Sequence, residues 1–339
     1  MNIYRRLILI ALGLTFVVVV FGAYVRLSDA GLGCPDWPGC YGQLSPHHAA
    51  EAIGQAQAAQ PHGPVSLPKA WKEMIHRYLA GTLGVVILLI GAVAWTRRDE
   101  AGVSFPVALA LVGVVGVQGL LGKWTVTLLL KPAIVTGHLL GGMAVLALLA
   151  WLALRSRDIS RIAAGAGLGW LARGGLLVLA AQLALGGWTS TNHAALACVD
   201  FPACGGSLWP GADYGHAFHV VRELGMTADG EPLPSGALVA IHWAHRLGAL
   251  VVGLVLGGLA WRLIRRRETV ALGLVLAAAL LLQVALGVAN VLWGLPLPLA
   301  VAHNGGAALL VLVVVTVNYR LTRGAAGLSV RENHANAYA

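Results

Sequence analysis

The sequence predicts an all-α integral membrane protein: eight transmembrane helices, arranged as two tandem four-helix bundles related by a pseudo-two-fold axis along the membrane normal. Three observations carry this expectation. The 339 residues are 58% hydrophobic and only 11% charged, with a mean hydropathy of +0.76, a balance that suits a bilayer and not water. Eight apolar runs each reach the roughly 18–20 residues that cross the hydrocarbon. One half of the chain also repeats in the other at a near-constant offset.

The runs fall at 7–25, 75–95, 103–122, 133–154, 166–188, 237–261, 269–293 and 299–318. No water reaches a backbone N–H or C=O inside the hydrocarbon, so each run must satisfy its own groups as a helix. The first follows Met1-Asn2-Ile3-Tyr4-Arg5-Arg6. It is long for a signal peptide and has no small-residue cleavage site, so it reads as a membrane span.

The formal net charge of +9 does not point to nucleic acid, because the basic residues collect at alternate helix ends. These are Arg5 and Arg6; Arg97 and Arg98; Arg155, Arg157 and Arg161; Arg262, Arg265, Arg266 and Arg267; and Arg320 and Arg323. The positive-inside rule places those ends and both termini in the cytoplasm, with the chain in the bacterial inner membrane and lipid as its surroundings. The opposite loops, 26–70 and 189–236, are rich in Gly, Pro and His and hold all four cysteines, so they face the periplasm. Residues 46–68, with Pro46, Pro61, Pro64 and Pro68, read as an irregular loop with a short helix near 48–60, in which His47, His48 and His62 are solvated.

The repeat divides the chain into halves at 1–160 and 161–339. Gln118-Gly119-Leu120-Leu121-Gly122 matches Gln283-Val284-Ala285-Leu286-Gly287 at an offset of 165 residues, and His138 meets His303 at the same offset. Glu73-Met74-Ile75-His76-Arg77 matches His242-Trp243-Ala244-His245-Arg246, so His76 corresponds to His245 and Glu73 to His242. Cys34 to Cys40 and Cys198 to Cys204 share a spacing of six. Each half has an even number of spans, so the copies cross the membrane in the same direction, unlike inverted repeats.

The second, fourth, sixth and eighth spans begin at the outer face and carry His76, His138, His245 and His303. The histidines are expected in the first two turns, roughly 6–12 Å inside the boundary at about 1.5 Å per residue. An intramembrane histidine can serve as a helix-to-helix hydrogen bonder, or as part of a functional site. Two at equal depth per four-helix unit suit a flat macrocycle with axial imidazoles. Gly81, Gly84, Gly137, Gly141, Gly248, Gly305 and Gly306 would leave room for it. Pairs are poor zinc sites, which take three or four protein ligands. Arg77 and Arg246 either snorkel to the headgroups or pair with carboxylates of the bound group.

With Glu73-x-x-His76-Arg77, His138, His245-Arg246 and His303 in this order, a cysteine pair in each outer loop, and Gly122-Lys123-Trp124-Thr125-Val126-Thr127-Leu128-Leu129-Leu130-Lys131-Pro132 leading into His138, the chain resembles the haem A synthase family in its proteobacterial form. The resemblance covers all eight spans. It implies that His245 and His303 hold a haem B that relays electrons, and that His76 and His138 hold the substrate haem O. It implies oxidation of the C8 methyl of haem O to a formyl group through an alcohol and a hydrate, giving haem A for terminal oxidase assembly. A haem O synthase is the implied donor; the electron acceptor stays open.

Glu73 lies three residues from His76, on the same helical face, and the resemblance implies that it is the catalytic acid or base. By itself such a carboxylate also stabilises a helix N-terminus. Arg77 and Arg246 become candidates for the haem propionates. His242 is read as a residue behind the ligand His245, with a spare ligand or a partner of the cysteine loop as alternatives.

Four cysteines allow three pairings. Matched spacing and an oxidising outer compartment favour Cys34 with Cys40 and Cys198 with Cys204, as loop staples or, above the reacting half, as a pair that exchanges with an outside thiol. Two other readings share the histidines. A di-haem b-type electron-transfer cytochrome gives Glu73 no task, and a haem transporter or chaperone lacks a gate.

Overall fold

The computed structural model describes residues 3–163 and 165–321. The helices are α1 (Ile3–Leu27), α2 (Ala50–Ala59), α3 (Leu67–Thr96), α4 (Phe105–Thr127), α5 (Pro132–Ser156), α6 (Ala166–Thr191), α7 (Tyr214–Ala217), α8 (Ser235–Ile264), α9 (Val270–Leu292) and α10 (Leu297–Leu321). Among the described residues, eight of these, all but the short α2 and α7, are long and apolar enough to span a membrane. Pro occupies the first turn of α3, α4 and α5, where its missing N–H costs no helical bond. Of the basic residues that flank the spans, Arg323 lies outside the described residues.

The spans close into two rings. α1 packs on α3 and α5, and α4 bridges α3 and α5; α6 packs on α8 and α10, and α9 bridges α8 and α10. The rings meet where α1 and α5 pack on α10 and α5 packs on α6. Small polar groups fasten this seam, where the Thr136 and Thr191 hydroxyls lie 3.3 Å apart; within the second ring, Asn318 Nδ2 of α10 donates to the Ala172 carbonyl of α6 at 3.0 Å. Arg26 Nη2 reaches from α1 to the Ser190 and Thr191 carbonyls at the end of α6. Such small-residue contacts let membrane helices approach where no hydrophobic force drives them together.

Large apolar side chains fill the arginine-rich end of each ring. Tyr4, Ile8, Ile87, Ile90, Leu111, Leu149 and Leu152 pack together in the first, and Leu256, Leu259, Leu263, Val314 and Leu321 in the second. The histidines lie toward the other end.

One expectation is corrected. α3 begins at Leu67 and α8 at Ser235, so His76 and His245 lie in the third turn rather than the first two. Lys69 and Lys72 interrupt the hydropathy of the first turns of α3, where the cysteine loop packs on Ala70 and Met74 and the helix runs on past the apolar stretch. His138 and His303 stay within two turns of their helix starts.

Candidate functional site

The two cysteine loops share a build that their sequences only partly advertise. Cys34-Pro35-Asp36-Trp37-Pro38-Gly39-Cys40 and Cys198-Val199-Asp200-Phe201-Pro202-Ala203-Cys204 are each closed by a disulfide. Asp36 accepts from the N–H groups of Tyr41 (2.6 Å) and Gly42 (2.7 Å). Asp200 accepts from Gly205 and Gly206, both at 2.8 Å. The paired N–H groups converge because Tyr41, Gly42, Gly205 and Gly206 take positive φ, which glycine adopts freely. Those N–H bonds, led by that of Gly206, hold the Asp200 carboxyl below its ordinary range.

The first loop is bolted to α3 through Glu73. This carboxylate is only 5% exposed. Its Oε2 accepts from the Cys34 N–H at 3.0 Å and its Oε1 pairs with Arg77 Nη2 at 2.5 Å. Arg77 Nη1 donates to the carbonyls of Asp36 (2.8 Å) and Gly39 (2.5 Å). Gly33 makes this contact possible, since a Cβ there would stand 2.6 Å from the Lys69 carbonyl carbon.

The second ring repeats the arrangement without the acid. Arg246 donates to the carbonyls of Ala203 (2.6 Å) and Cys198 (2.9 Å), and its Nε donates to His242 Nε2 at 3.3 Å. His242, at Glu73's position, is 4% exposed. Both arginines therefore hold cysteine-loop carbonyls, and His242 is joined to its loop through Arg246.

Below the loops, the structure brings His76 and His138 together as electrostatic neighbours, and likewise His245 and His303. Each imidazole rests its Cε1 edge on a glycine of the preceding span. His76 sits on Gly22, His138 on Gly122, His245 on Gly186 and His303 on Gly287, where an added Cβ would lie 2.8, 3.4, 3.2 and 3.1 Å from Cε1. The Nδ1 atoms of His76, His138 and His303 are shielded and have no hydrogen-bond partner among the described residues. Gly141, Gly248 and Gly306, expected to make room for a macrocycle, instead admit the side chains of Gln118, Gln182 and Gln283.

These features fit a bis-imidazole porphyrin. Imidazoles come as neighbouring pairs, their ring edges are seated on glycine, and the buried Nδ1 atoms of His76, His138 and His303 have no hydrogen-bond partner among the described residues, where a metal-ligating histidine donates to an acceptor. Among the described residues, no group of three or more His, Cys, Asp or Glu side chains assembles around a single point. The cysteine-loop aspartates and Gln182 escaped the sequence reading. For the aspartates the available signal was the shared Cys-x-Asp-aromatic-Pro-x-Cys pattern, and for Gln182 the Gln-x-x-Leu-Gly pattern.

A family model described as cytochrome oxidase assembly protein, COX15-CtaA, matches residues 5–315. The chain is 43% identical to a protein of Shewanella oneidensis named haem A synthase, over 93% of this chain and 96% of that one. It is 29% identical to the haem A synthase of Caulobacter vibrioides (93% and 94% covered) and 30% identical to that of Rhodospirillum centenum (89% and 84%). With paired histidines, duplicated disulfide loops and a match along nearly its whole length, this chain belongs to the COX15-CtaA cytochrome oxidase assembly protein family.

Proposed function

We propose that this chain is a haem A synthase, an oxidoreductase that converts the C8 methyl of haem O to a formyl group. In this reading His76 and His138 of the N-terminal half (1–160) hold the substrate haem O. His245 and His303 of the C-terminal half (161–339) hold a haem B, which when bound supplies a one-electron relay from the reacting half to an acceptor. The names of the relatives support the activity. The product serves terminal oxidase assembly, a haem O synthase delivers the substrate, and both termini lie in the cytoplasm with the disulfide loops in the periplasm.

The observation that carries the assignment of halves is the difference at one matched position. Glu73 is a buried carboxylate one helical turn from His76, whereas His242 stands in its place beside His245. Arg77 and the Cys34 N–H fix both oxygens of Glu73, so the carboxylate is oriented before substrate binds. That preorganisation suits a group that takes a proton from the substrate edge as the methyl is oxidised. Arg77, occupied by loop carbonyls and by Glu73, positions the acid; contact with a propionate is secondary. An electron-transfer cytochrome leaves this single-sided acid only its bonds to Arg77 and the Cys34 N–H, with no chemical task.

The test is to express the full chain together with a haem O synthase, purify it, extract its haems and weigh them. Haem B together with haem O, its hydroxylated form or haem A is expected. Haem B alone despite available haem O would overturn the proposal in favour of electron transfer.

A further inference from the structure

The two cysteine loops end in the same turn, and each turn carries a leucine into the open. Cys40-Tyr41-Gly42-Gln43-Leu44 and Cys204-Gly205-Gly206-Ser207-Leu208 match at an offset of 164 residues. Cys40 and Gln43 exchange backbone hydrogen bonds, as do Cys204 and Ser207, so each leucine leaves the end of a closed loop. Leu44 is 81% exposed, Leu208 66% and the adjacent Trp209 83%. A single exposed apolar residue is ordinary; exposed leucines at matched positions of two loops ask for a common surface.

The depth of these tips follows from helix length. α3 and α8 have 30 residues each, about 45 Å at 1.5 Å per residue, against a hydrocarbon core of about 30 Å. Their arginine-rich ends carry the exposed Trp95 and Trp261, stacked with Arg98 and Arg265, and Trp is enriched where membrane meets water. Counting about 20 residues back from those tryptophans puts the opposite boundary within about one turn of His76 on α3 and of His245 on α8. The first turns of both helices therefore stand beyond the hydrocarbon.

The loops fold back along those turns and reach the boundary. The Tyr78 hydroxyl donates to the Leu44 carbonyl, and Arg77 holds Asp36 and Gly39 just above. Arg246 holds Cys198 and Ala203 of the second loop at the matched level. Trp71, Ile75 and Tyr78 are exposed on one face of α3, and Val85 and Leu89 continue that face into the span. On α8 the exposed face runs through Leu247, Leu250 and Leu254. Leu44 thus extends a surface already turned to lipid, and with its carbonyl bonded to Tyr78 it leaves water without an unsatisfied acceptor.

We propose that Leu44, and Leu208 with Trp209, are lipid anchors that seat the two cysteine loops on the leaflet at their side of the membrane. Their side chains enter the boundary between headgroups and acyl chains, as the apolar faces of interfacial helices do. The occupant is the lipid itself, because the tips continue the lipid-facing stripes of α3 and α8. This inference stands independently of the haem reading. It bears on the site because the Cys34 N–H holds Glu73, so the leaflet steadies the acid through the loop.

The test uses the full chain in lipid nanodiscs. All four cysteines are in disulfides, so Leu44→Cys and Leu208→Cys each supply a single thiol for a nitroxide. Val85→Cys gives the reference in the span, and Ala228→Cys, exposed in the polar turn at 227–231, the reference in water. Dissolved oxygen concentrates in lipid and a neutral nickel chelate in water, so the ratio of their relaxation effects reads depth. Labels at Leu44 and Leu208 should give an oxygen-to-nickel ratio several-fold above that at Ala228 and closer to that at Val85. A ratio equal to that at Ala228 would overturn the inference. So would a label screened from both reagents, which would mean that a partner protein or a second copy covers the tip. The unaltered chain gives a second measurement: phosphatidylcholine with a photoreactive group high on its acyl chain should leave adducts on both turns, and adducts confined to the spans would overturn the anchors.

Discussion

Glu73 Oε2 accepts a hydrogen bond from the backbone N–H of Cys34 at 3.0 Å, joining the third helix of the chain to the disulfide loop above it. The acid proposed to react is thus not an isolated side chain. It is the point where a helix, an ion pair and a covalently closed loop meet, and each can be perturbed separately.

Glu73→Gln keeps the shape and an acceptor for Cys34 but removes the charge. Haem B content should be unchanged, while haem A output falls by the ~10²–10⁴-fold associated with losing a positioned acid or base. Mass analysis of extracted haems reads both quantities, and wild-type haem A yield from this variant would sink the role given to Glu73.

Arg77→Ala should destabilise the protein more than Arg246→Ala. The first leaves a buried carboxylate without its cation, a loss of about 3–5 kcal/mol when one partner of a buried pair is removed. The second leaves only His242 and loop carbonyls. Thermal unfolding in detergent, followed in parallel for the two variants, checks the order.

Gly22→Ala drives a methyl group to within 2.8 Å of His76 Cε1. Overpacking of that kind costs roughly 1–3 kcal/mol and should displace the imidazole, lowering retention of haem O while haem B stays. Gly186→Ala and Gly287→Ala, beneath His245 and His303, should show the reverse pattern in the same haem assay.

Replacing Cys34 and Cys40 together by Ser opens a short loop, removing about 2 kcal/mol of chain constraint. Haem A output should fall because Glu73 loses the fixed Cys34 N–H, whereas the same change at Cys198 and Cys204 should lower haem B retention instead. Equal haem profiles from the two double variants would argue against separate roles for the loops.

The spans were legible because hydrocarbon leaves a chain few options. The histidines were legible because polar residues inside such spans stand out. The start of α3 was not, since Lys69 and Lys72 break the hydropathy of a helix that the outer loop continues. Arg77 and Arg246 were readable as basic residues beside histidines, but their attachment to loop carbonyls depends on where the cysteine loops fold back, which no spacing encodes. Gln182 was hidden by the very comparison that exposed Gln118 and Gln283. Those two face each other in the repeat, whereas Gln182 faces Val18, and a mismatch in a repeat is easily dismissed although here it marks the difference between the halves.

The packed apolar ends of the two rings have an electrical consequence. Carrying one charge across the full membrane involves about 2.3 kcal/mol per 100 mV. Leu111, Leu149 and Leu152 in one ring and Leu256, Leu259 and Val314 in the other pack the arginine-rich side with apolar groups. In the proposed reading, a proton leaving Glu73 departs on the cysteine-loop side of this packing and crosses little of that voltage.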